Sequence, residues 1–383
     1  MRDDWEIKDF GDVCKIVGGS QPPKSEFIYE PKEGYIRLIQ VRDYKTDKYL
    51  TYIPKDSTKK FCTINDIMIG RYGPPIFGIF RGIEGAYNVA LMKAIPNEEF
   101  LDKEYFYWFL HNPDLIKFVE ITSKRAAGQD GVRKKRLYKY PVPIPPLSEQ
   151  KRIVAILDEA FEAIDQAKAN IERNIHNAEE LFQSKLNEIF SQRGEGWEEK
   201  RLDEVCENLD RMRDPISKKN RKEGPYPYYG ASGIVDYVDD YLFDEDLLLV
   251  SEDGANLLAR TYPIAFSISG KNWVNNHAHV LRFEEMASQK FVEYYLNSIK
   301  LDPWVSGMAQ PKLNQRNLNS IPVPFPSIDE QKEVVDRLKV LENDVESITK
   351  VYKDKADSLN ELKKSILQKA FSGELTANEH AAA

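Results

Sequence analysis

The chain has 383 residues, 42% of them hydrophobic and 11% aromatic, and a formal net charge of −8. That length suggests two or three domains with real cores, and no apolar stretch approaches the ~20 residues of a membrane span. Net acidity argues against a non-specific nucleic-acid binder. The three cysteines, Cys14, Cys62 and Cys206, are odd in number and lack metal spacing, which argues against a disulfide framework and points to the cytoplasm.

In chain order, Met1-Arg2-Asp3-Asp4-Trp5 does not read as a signal peptide. The stretch from Trp5-Glu6-Ile7-Lys8 to Val13-Cys14 returns as Trp197-Glu198-Glu199-Lys200 to Val205-Cys206, a shift of 192 (197 − 5). The middles of the two copies are barely alike. Asp66-Ile67-Met68-Ile69 resembles Asp246-Leu247-Leu248-Leu249, and little else aligns. Pro141-Val142-Pro143-Ile144-Pro145-Pro146-Leu147-Ser148-Glu149-Gln150-Lys151 then recurs as Pro322-Val323-Pro324-Phe325-Pro326-Ser327-Ile328-Asp329-Glu330-Gln331-Lys332, a shift of 181 (322 − 141). This register continues without a gap through Leu157/Leu338, Leu181/Leu362 and Phe190/Phe371. The chain is therefore an internal duplication: two globular segments, each followed by a long helix. Shared edges with divergent centres suggest one scaffold that reads two different things.

Each helix is expected to run about 43 residues, roughly 65 Å at 1.5 Å per residue. The first seam is Ile153, Leu157, Ala160, Ile164, Ala167, Ile171, Ile175, Ala178 and Phe182. The second is Val334, Leu338, Leu341, Val345, Ile348, Tyr352, Ala356 and Leu359, in steps of four and three. Ser148 with Glu149, and Asp329 with Glu330, supply cap and first-turn acids. The preceding prolines stop any upstream helix, Gly194 and Gly196 end the first helix, and Gly373 ends the second. A stripe of that length needs a partner helix, and the other copy supplies one in the same chain. The seam alone leaves parallel and antiparallel pairing open, and the alternative is that each helix packs on its own domain.

Charge is unevenly distributed. Residues 148–190 carry nine acids and five bases. Basic residues cluster in the globular segments: Lys124, Arg125, Arg133, Lys134, Lys135 and Arg136 in the first, and Arg211, Arg213, Lys218, Lys219, Arg221 and Lys222 in the second. These are either solvated surface or phosphate-contacting loops. The DNA-binding candidates are Lys124, Arg125, Arg133, Lys134 and Lys135, with Arg211, Arg213, Lys218, Lys219 and Arg221.

A reactive constellation is missing from the sequence. It lacks a phosphate-cradling glycine loop with Lys and Ser/Thr, and Gly70-Arg71-Tyr72-Gly73-Pro74 reads as a turn between strands. The nearest string to an amino-methyltransferase motif, Asn112-Pro113-Asp114, lacks the second proline and the aromatic. The acids Asp239, Asp240, Asp244, Glu245 and Asp246 resemble a solvated turn before a strand. His277 and His279 could share one strand face, as a hydrogen-bonding surface or satisfied core pair, or as a metal site with no third ligand near in sequence. Neither catalytic nor metal residues are assigned, and no cofactor. Two divergent domains on a helical ruler suggest a device that binds two sites at a fixed separation, for which duplex DNA is the natural target.

These residues carry a resemblance. The duplicated proline–glutamine entry to a long helix resembles the specificity subunit of type I restriction–modification systems. So do Val17-Gly18-Gly19-Ser20-Gln21-Pro22, Phe371-Ser372-Gly373-Glu374-Leu375-Thr376, the run from Asp246 to Asn256, and Asn276-His277-Ala278. The resemblance implies an α/β (α+β) chain with a pseudo-twofold repeat. Two mixed target-recognition domains, 1–146 and 197–326, would be separated by long helices, 147–192 and 327–375, forming an antiparallel coiled coil. A tail, 376–383, closing in His380-Ala381-Ala382-Ala383, is expected to fray. The family implies a catalytically inert subunit that reads a bipartite asymmetric site on double-stranded DNA. It would join two modification subunits, which carry S-adenosylmethionine and methylate adenine, and ATP-dependent restriction subunits. A coiled-coil scaffold whose end domains bind proteins is the rival reading. A DNA methyltransferase is disfavoured by the missing motif.

Overall fold

The computed structural model describes residues 2, 4–73, 76–124, 130–192, 194, 196–307 and 310–377. The chain divides into two compact units, Met1–Asn170 with Asp354–Ala383, and Ile171–Lys353. Each unit therefore holds one globular segment, the start of the helix that follows it, and the end of the other helix. Among the described residues no helix is long and apolar enough to cross a membrane.

The edges that match in sequence are partners in space. In the first unit Glu6–Asp9 pairs antiparallel with Pro141–Ile144, from Glu6 opposite Ile144 to Asp9 opposite Pro141. In the second, Glu198–Arg201 pairs with Pro322–Phe325 in the same way. Each ribbon has only two strands, so alternate residues need no ladder N–H and prolines are tolerated there. This pairing ties the start of each globular segment to the residues that launch its helix.

Between those edges the two copies share one topology that their sequences hide. The first unit has a four-stranded antiparallel sheet in the order Cys14–Gly18, Leu91–Pro96, Ile67–Gly70, Ile79–Phe80. The second repeats it as Glu207–Asn208, Ala278–Arg282, Leu247–Ser251, Ala265–Ile268. A second four-stranded sheet follows the order Tyr52–Pro54, Tyr35–Ile39, Gly85–Tyr87, Phe61–Cys62. Its counterpart is Gly233–Val238, Tyr226–Gly230, Lys271–Val274, Phe243–Asp244. Each of these latter sheets contains one parallel pair at the same place, Leu38 beside Ala86 and Tyr228 beside Trp273.

The long helices are Leu147–Ser191 and Ile328–Ser372. Both begin one residue or more away from the expected caps. Ser148 lies inside the first turn, and the residue before each helix is Pro146 or Ser327. Glu149 and Glu330 remain the first-turn acids. Gly373 ends the second helix with φ +85°. Within the first unit Asp165 meets Lys363 at 3.4 Å and Lys168 meets Asn360 at 2.5 Å. Rising number on one helix matches falling number on the other, so this pairing is antiparallel. Within the second unit the Asn174 amide donates to the Tyr352 hydroxyl at 3.2 Å, and Leu186 and Phe190 share a core with Val334 and Leu338.

Burial is deepest where the globular segment covers the pair. Ile153, Leu157 and Ile164 are buried, as are Leu338 and Phe371, whereas Ala167, Ile175 and Ala178 are only half-buried. Ile348 leaves the expected seam and is 44% exposed. Thr349 is half-buried in its place, so the seam steps from Val345 by four. Each helix end is anchored by a phenylalanine of the shared register. Phe371 meets Tyr105 and Phe109 edge-on at 5.3 and 5.4 Å, and Phe190 meets Phe291 and Tyr295, both at 5.3 Å. Thr376, at the start of the tail expected to fray, is buried and donates its hydroxyl to Glu149 Oε1 at 2.7 Å. The closing His380–Ala383 lies outside the described residues.

Several sequence motifs are structural. Asn112 caps the helix Pro113–Ser123 by accepting the Asp114 N–H at 2.9 Å, with proline in the first turn, so the apparent methyltransferase fragment is a helix start. Cys14 and Cys206 each follow a one-turn helix, Phe10–Val13 and Leu202–Val205. Burial pushes both thiols up to about 12.

Candidate nucleic-acid interface

The basic residues divide by what their charged ends touch. In the first unit Lys124 follows the helix Pro113–Ser123 and is exposed, and its carbonyl accepts from Arg133 Nη2 at 2.7 Å. Lys134 opens the short helix Lys134–Leu137, but its ammonium donates to Ile16 O at 2.7 Å. It thus ties the helix to the first strand of the sheet and has little left for a phosphate. Lys135, the next residue, is exposed. Arg125 lies outside the described residues.

In the second unit Arg211 is exposed in the turn Asp210–Met212, and Lys218 and Lys219 are exposed in the turn Lys218–Asn220. Arg213 and Arg221 differ from them. The Arg221 guanidinium donates to Ile216 O at 3.1 Å and Asp236 at 3.0 Å, and lies 4.3 Å from the Tyr228 ring centroid. Arg213, 13% exposed, donates to Glu252 and to Ala278 O, each at 2.7 Å. Both arginines brace the loop between Glu207–Asn208 and Tyr226–Gly230 and present the lysines between them.

The two clusters do not occupy matching places. The first lies beside the short helix just before the ribbon strand. The second lies in the loop after the first sheet strand. At the 181-residue shift, Arg133–Arg136 corresponds to Asn314–Asn317, where Arg316 is the sole cation. Equal-looking charge runs thus sit on non-equivalent loops of equivalent folds.

Arg213 belongs to a buried polar network. Glu252 also receives Lys312 at 3.0 Å, and Asp210 Oδ2 meets His279 Nδ1 at 2.6 Å. His279 Nε2 faces Leu313 O at 2.7 Å, and the Val280 N–H donates to Asp210 Oδ1 at 3.0 Å. Burial opposes ionisation of Asp210 and Glu252. The facing His279 and Arg213, with Lys312 at Glu252, outweigh it and hold both carboxyls below their usual range. His277 and His279 are not a pair. His277 precedes the strand, lies 53% exposed, and meets Asp253 at 2.8 Å, whereas His279 is fully buried. With both ring nitrogens engaged, His279 has none to offer a metal. Among the described residues no group of three His, Cys, Asp or Glu side chains could hold an ion.

Some of the cation–aromatic contacts lie on or beside the sheets that contain the parallel pairs. In the first unit Arg42 and Lys48 lie 5.4 and 5.5 Å from the Tyr49 ring centroid, and Tyr49 is 51% exposed. In the second, Lys271 lies 4.5 Å from the Tyr241 ring centroid and 6.0 Å from that of Tyr226. A basic surface interleaved with exposed rings suits a polyanion with stackable bases. In the second unit charge runs could not reveal it, because Tyr226, Tyr241 and Lys271 are single residues far apart in sequence.

The fold and its repeat are matched elsewhere. The family described as Type I restriction modification DNA specificity domain matches residues 2–176 and again 194–354. A putative type I restriction enzyme specificity subunit of Haemophilus influenzae is 37% identical over 142 residues, which span 37% of this chain and 36% of that protein. The type I restriction enzyme MjaVIII specificity subunit of Methanocaldococcus jannaschii is 23% identical over 98% of this chain and 94% of its own length. A solved structure from a study of complex assembly and conformational transition of the type I R-M system has a TM-score of 0.76 at 18% identity. The match covers 97% of this chain and 98% of that one, and shows a shared fold.

Proposed function

The chain belongs to the type I restriction–modification DNA specificity family, and on that premise we propose that its two globular segments read the two halves of a bipartite, asymmetric site on duplex DNA. The chain is a DNA-recognition subunit, not a catalytic one. The observation that carries the two-half reading is the repeat itself: one topology built twice, with different side chains on matching loops. A single fold that read one motif twice would keep its surface residues alike.

On this reading exposed cations position the duplex. Lys135 in the first unit and Arg211, Lys218 and Lys219 in the second contact phosphates, which adds affinity without sequence information. The rings near Arg42, Lys48 and Lys271 lie against sugars or bases. The paired helices set the number of base pairs between the half-sites, and their exposed faces dock two modification subunits. Those subunits carry S-adenosylmethionine and the methyl transfer, while restriction subunits supply ATP-driven cleavage. A chain that is acidic overall binds DNA in this setting because the partners contribute much of the grip. Its site of action is the cytoplasm, where the DNA is.

The test is sequence-selective methylation by the chain assembled with its modification subunits. A complex that methylates a two-part motif, when neither subunit alone does, supports the reading. A scaffold that only joins proteins would leave methylation specificity unchanged when the chain is exchanged for a relative.

A further inference from the structure

One backbone framework recurs at the tip of each antiparallel sheet and carries different side chains in the two copies. In the first unit the Arg71 N–H donates to Ala90 O at 2.8 Å, and the Val132 N–H donates to Arg71 O at 3.0 Å. In the second the Glu252 N–H donates to His277 O at 2.9 Å, and the Leu313 N–H donates to Glu252 O at 2.8 Å. Tyr72 forms an isolated antiparallel bridge with Gly131, and Asp253 forms the same bridge with Lys312. Both bridge partners obey the 181-residue shift. The next residue is glycine in both copies, Gly73 with φ +86° and Gly254 with φ +109°, a conformation that favours glycine. A side-chain amide fixes the neighbouring turn each time: Asn88 Oδ1 accepts the Ala90 N–H at 3.0 Å, and Asn275 Oδ1 accepts the His277 N–H at 2.8 Å.

Only the side chains on this frame change. In the first unit the Arg71 guanidinium lies 4.8 Å from the Tyr72 ring centroid. The ring sits so close to Gly131 that a Cβ there would lie 2.6 Å from ring carbon Cδ1. In the second unit the place of Gly131 is taken by Lys312, 53% exposed, and the ring is replaced by Asp253, 34% exposed, beside His277. The first tip thus carries a half-buried aromatic ring against Arg71 and Gly131, and the second a set of hydrogen-bonding groups. Glu252, whose backbone belongs to the second frame, is held by Arg213 at 2.7 Å.

Resting on the two-half reading, we infer that residues 72 and 253 are specificity-determining positions, each reading one base pair of its own half-site. Asp253 accepts a hydrogen bond from the exocyclic amine of cytosine or adenine, and the Tyr72 ring packs against a base edge such as the thymine methyl. A rigid frame with interchangeable tips is what a reader needs: affinity and register come from the frame, and base identity from two or three side chains.

The experiment selects randomised duplexes with the chain assembled with its modification subunits, comparing wild type with Asp253→Ala, Asp253→Asn, Tyr72→Ala and Tyr72→Phe. Thermal unfolding and assembly with the modification subunits establish that each variant is folded. Asp253→Ala is expected to relax one base pair of one half-site by roughly tenfold and to leave the other half-site intact. Tyr72→Ala relaxes one base pair of the other half, and Tyr72→Phe, which keeps the ring, preserves the preference. If Tyr72→Ala fails to fold, the two substitutions at half-buried Asp253 still decide the matter. Folded Asp253 variants that keep every preference overturn the inference. So does weakening that is uniform over all sequences, the mark of a phosphate contact. A wild-type complex that selects no sequence at all overturns the two-half reading instead, so the two failures are distinguishable.

Discussion

Gln150 and Gln331 make the same buried contact 181 residues apart: each donates its Nε2 to the carbonyl of the proline five residues earlier, Pro145 or Pro326, at 2.8 Å. Their amide oxygens are engaged as well. Gln150 Oε1 accepts the Asp102 N–H at 2.7 Å, and Gln331 Oε1 accepts from Ser288 Oγ at 2.6 Å. The glutamine of the repeated motif therefore locks each helix start to the proline turn and to the globular segment beside it. Gln150→Ala leaves the Asp102 N–H and the Phe100 and Pro145 carbonyls without this partner. The expected loss is about 2–3 kcal/mol of stability, since buried polar groups lose their partners. Chemical denaturation of Gln150→Ala and Gln331→Ala measures it, and a change within ~0.5 kcal/mol would contradict a latch.

The two kinds of basic residue should separate in one mutational series. Arg213→Ala leaves Glu252 and Asp210 without a cation they are built around, so it is expected to cost about 3 kcal/mol of stability. Lys219→Ala and Lys135→Ala should leave stability within ~0.5 kcal/mol. On the proposed interface each weakens DNA binding across all sequences and lowers the salt slope by about one. Denaturation and salt-dependent binding titrations of the assembled complex give both readouts. A stable Arg213→Ala variant with only weaker binding would return that residue to the DNA contacts.

The same network sets an acid limit. Asp210 and Glu252 titrate below their usual range in the folded chain. Their contribution is present above the unfolded carboxylate values near ~4 and is lost as pH falls through the lower folded ones. Stability should fall below about pH 4, and more gently in Asp210→Asn, which starts lower but no longer takes up that proton. Unfolding temperature followed from about pH 6 to 2 checks this. Parallel curves for the two proteins would show that Asp210 does not contribute.

How much of this was legible in the sequence depends on what each residue does locally. The helix entries were readable because Pro141–Lys151 and Pro322–Lys332 perform one local task, the ribbon strand, the turn and the glutamine latch. The helix ends were readable because Phe190 and Phe371 fill matching aromatic pockets. The shared topology of the centres was hidden, because strands such as Ile67–Gly70 and Leu247–Ser251 need only be apolar, and many sequences satisfy that. Sites fared worse than folds. Arg213 and Arg221 looked like surface charge, and only their partners, distant in sequence, reveal them as internal braces. Alternation put His277 beside His279, but the strand begins at Ala278, so His277 belongs to the turn. Ile348 fitted a simple heptad step, yet the seam takes Thr349.

The thiols give an independent check on the cores. Burial pushes Cys14 and Cys206 up to about 12 and Cys62 up to about 11. With so little thiolate at neutral pH, all three should resist alkylation in the native chain and react once it unfolds. Counting modified cysteines by intact mass, with and without denaturant, is sufficient. Rapid native modification of Cys14 would place it outside the core.

On the proposed reading the paired helices set the distance between two reading domains. Its most direct test is a heptad inserted into both helices, between Ala167 and Lys168 and between Leu359 and Asn360. The Lys168–Asn360 contact shows these points lie opposite each other. The insertion lengthens the pair by roughly 10 Å at 1.5 Å per residue, about three base pairs at 3.4 Å each. Methylation-site mapping of the variant, assembled with its modification subunits, should find both half-sites unchanged and the spacer longer by about three base pairs. A folded, active variant that methylates sites with the original spacer would mean that the helices do not set the distance.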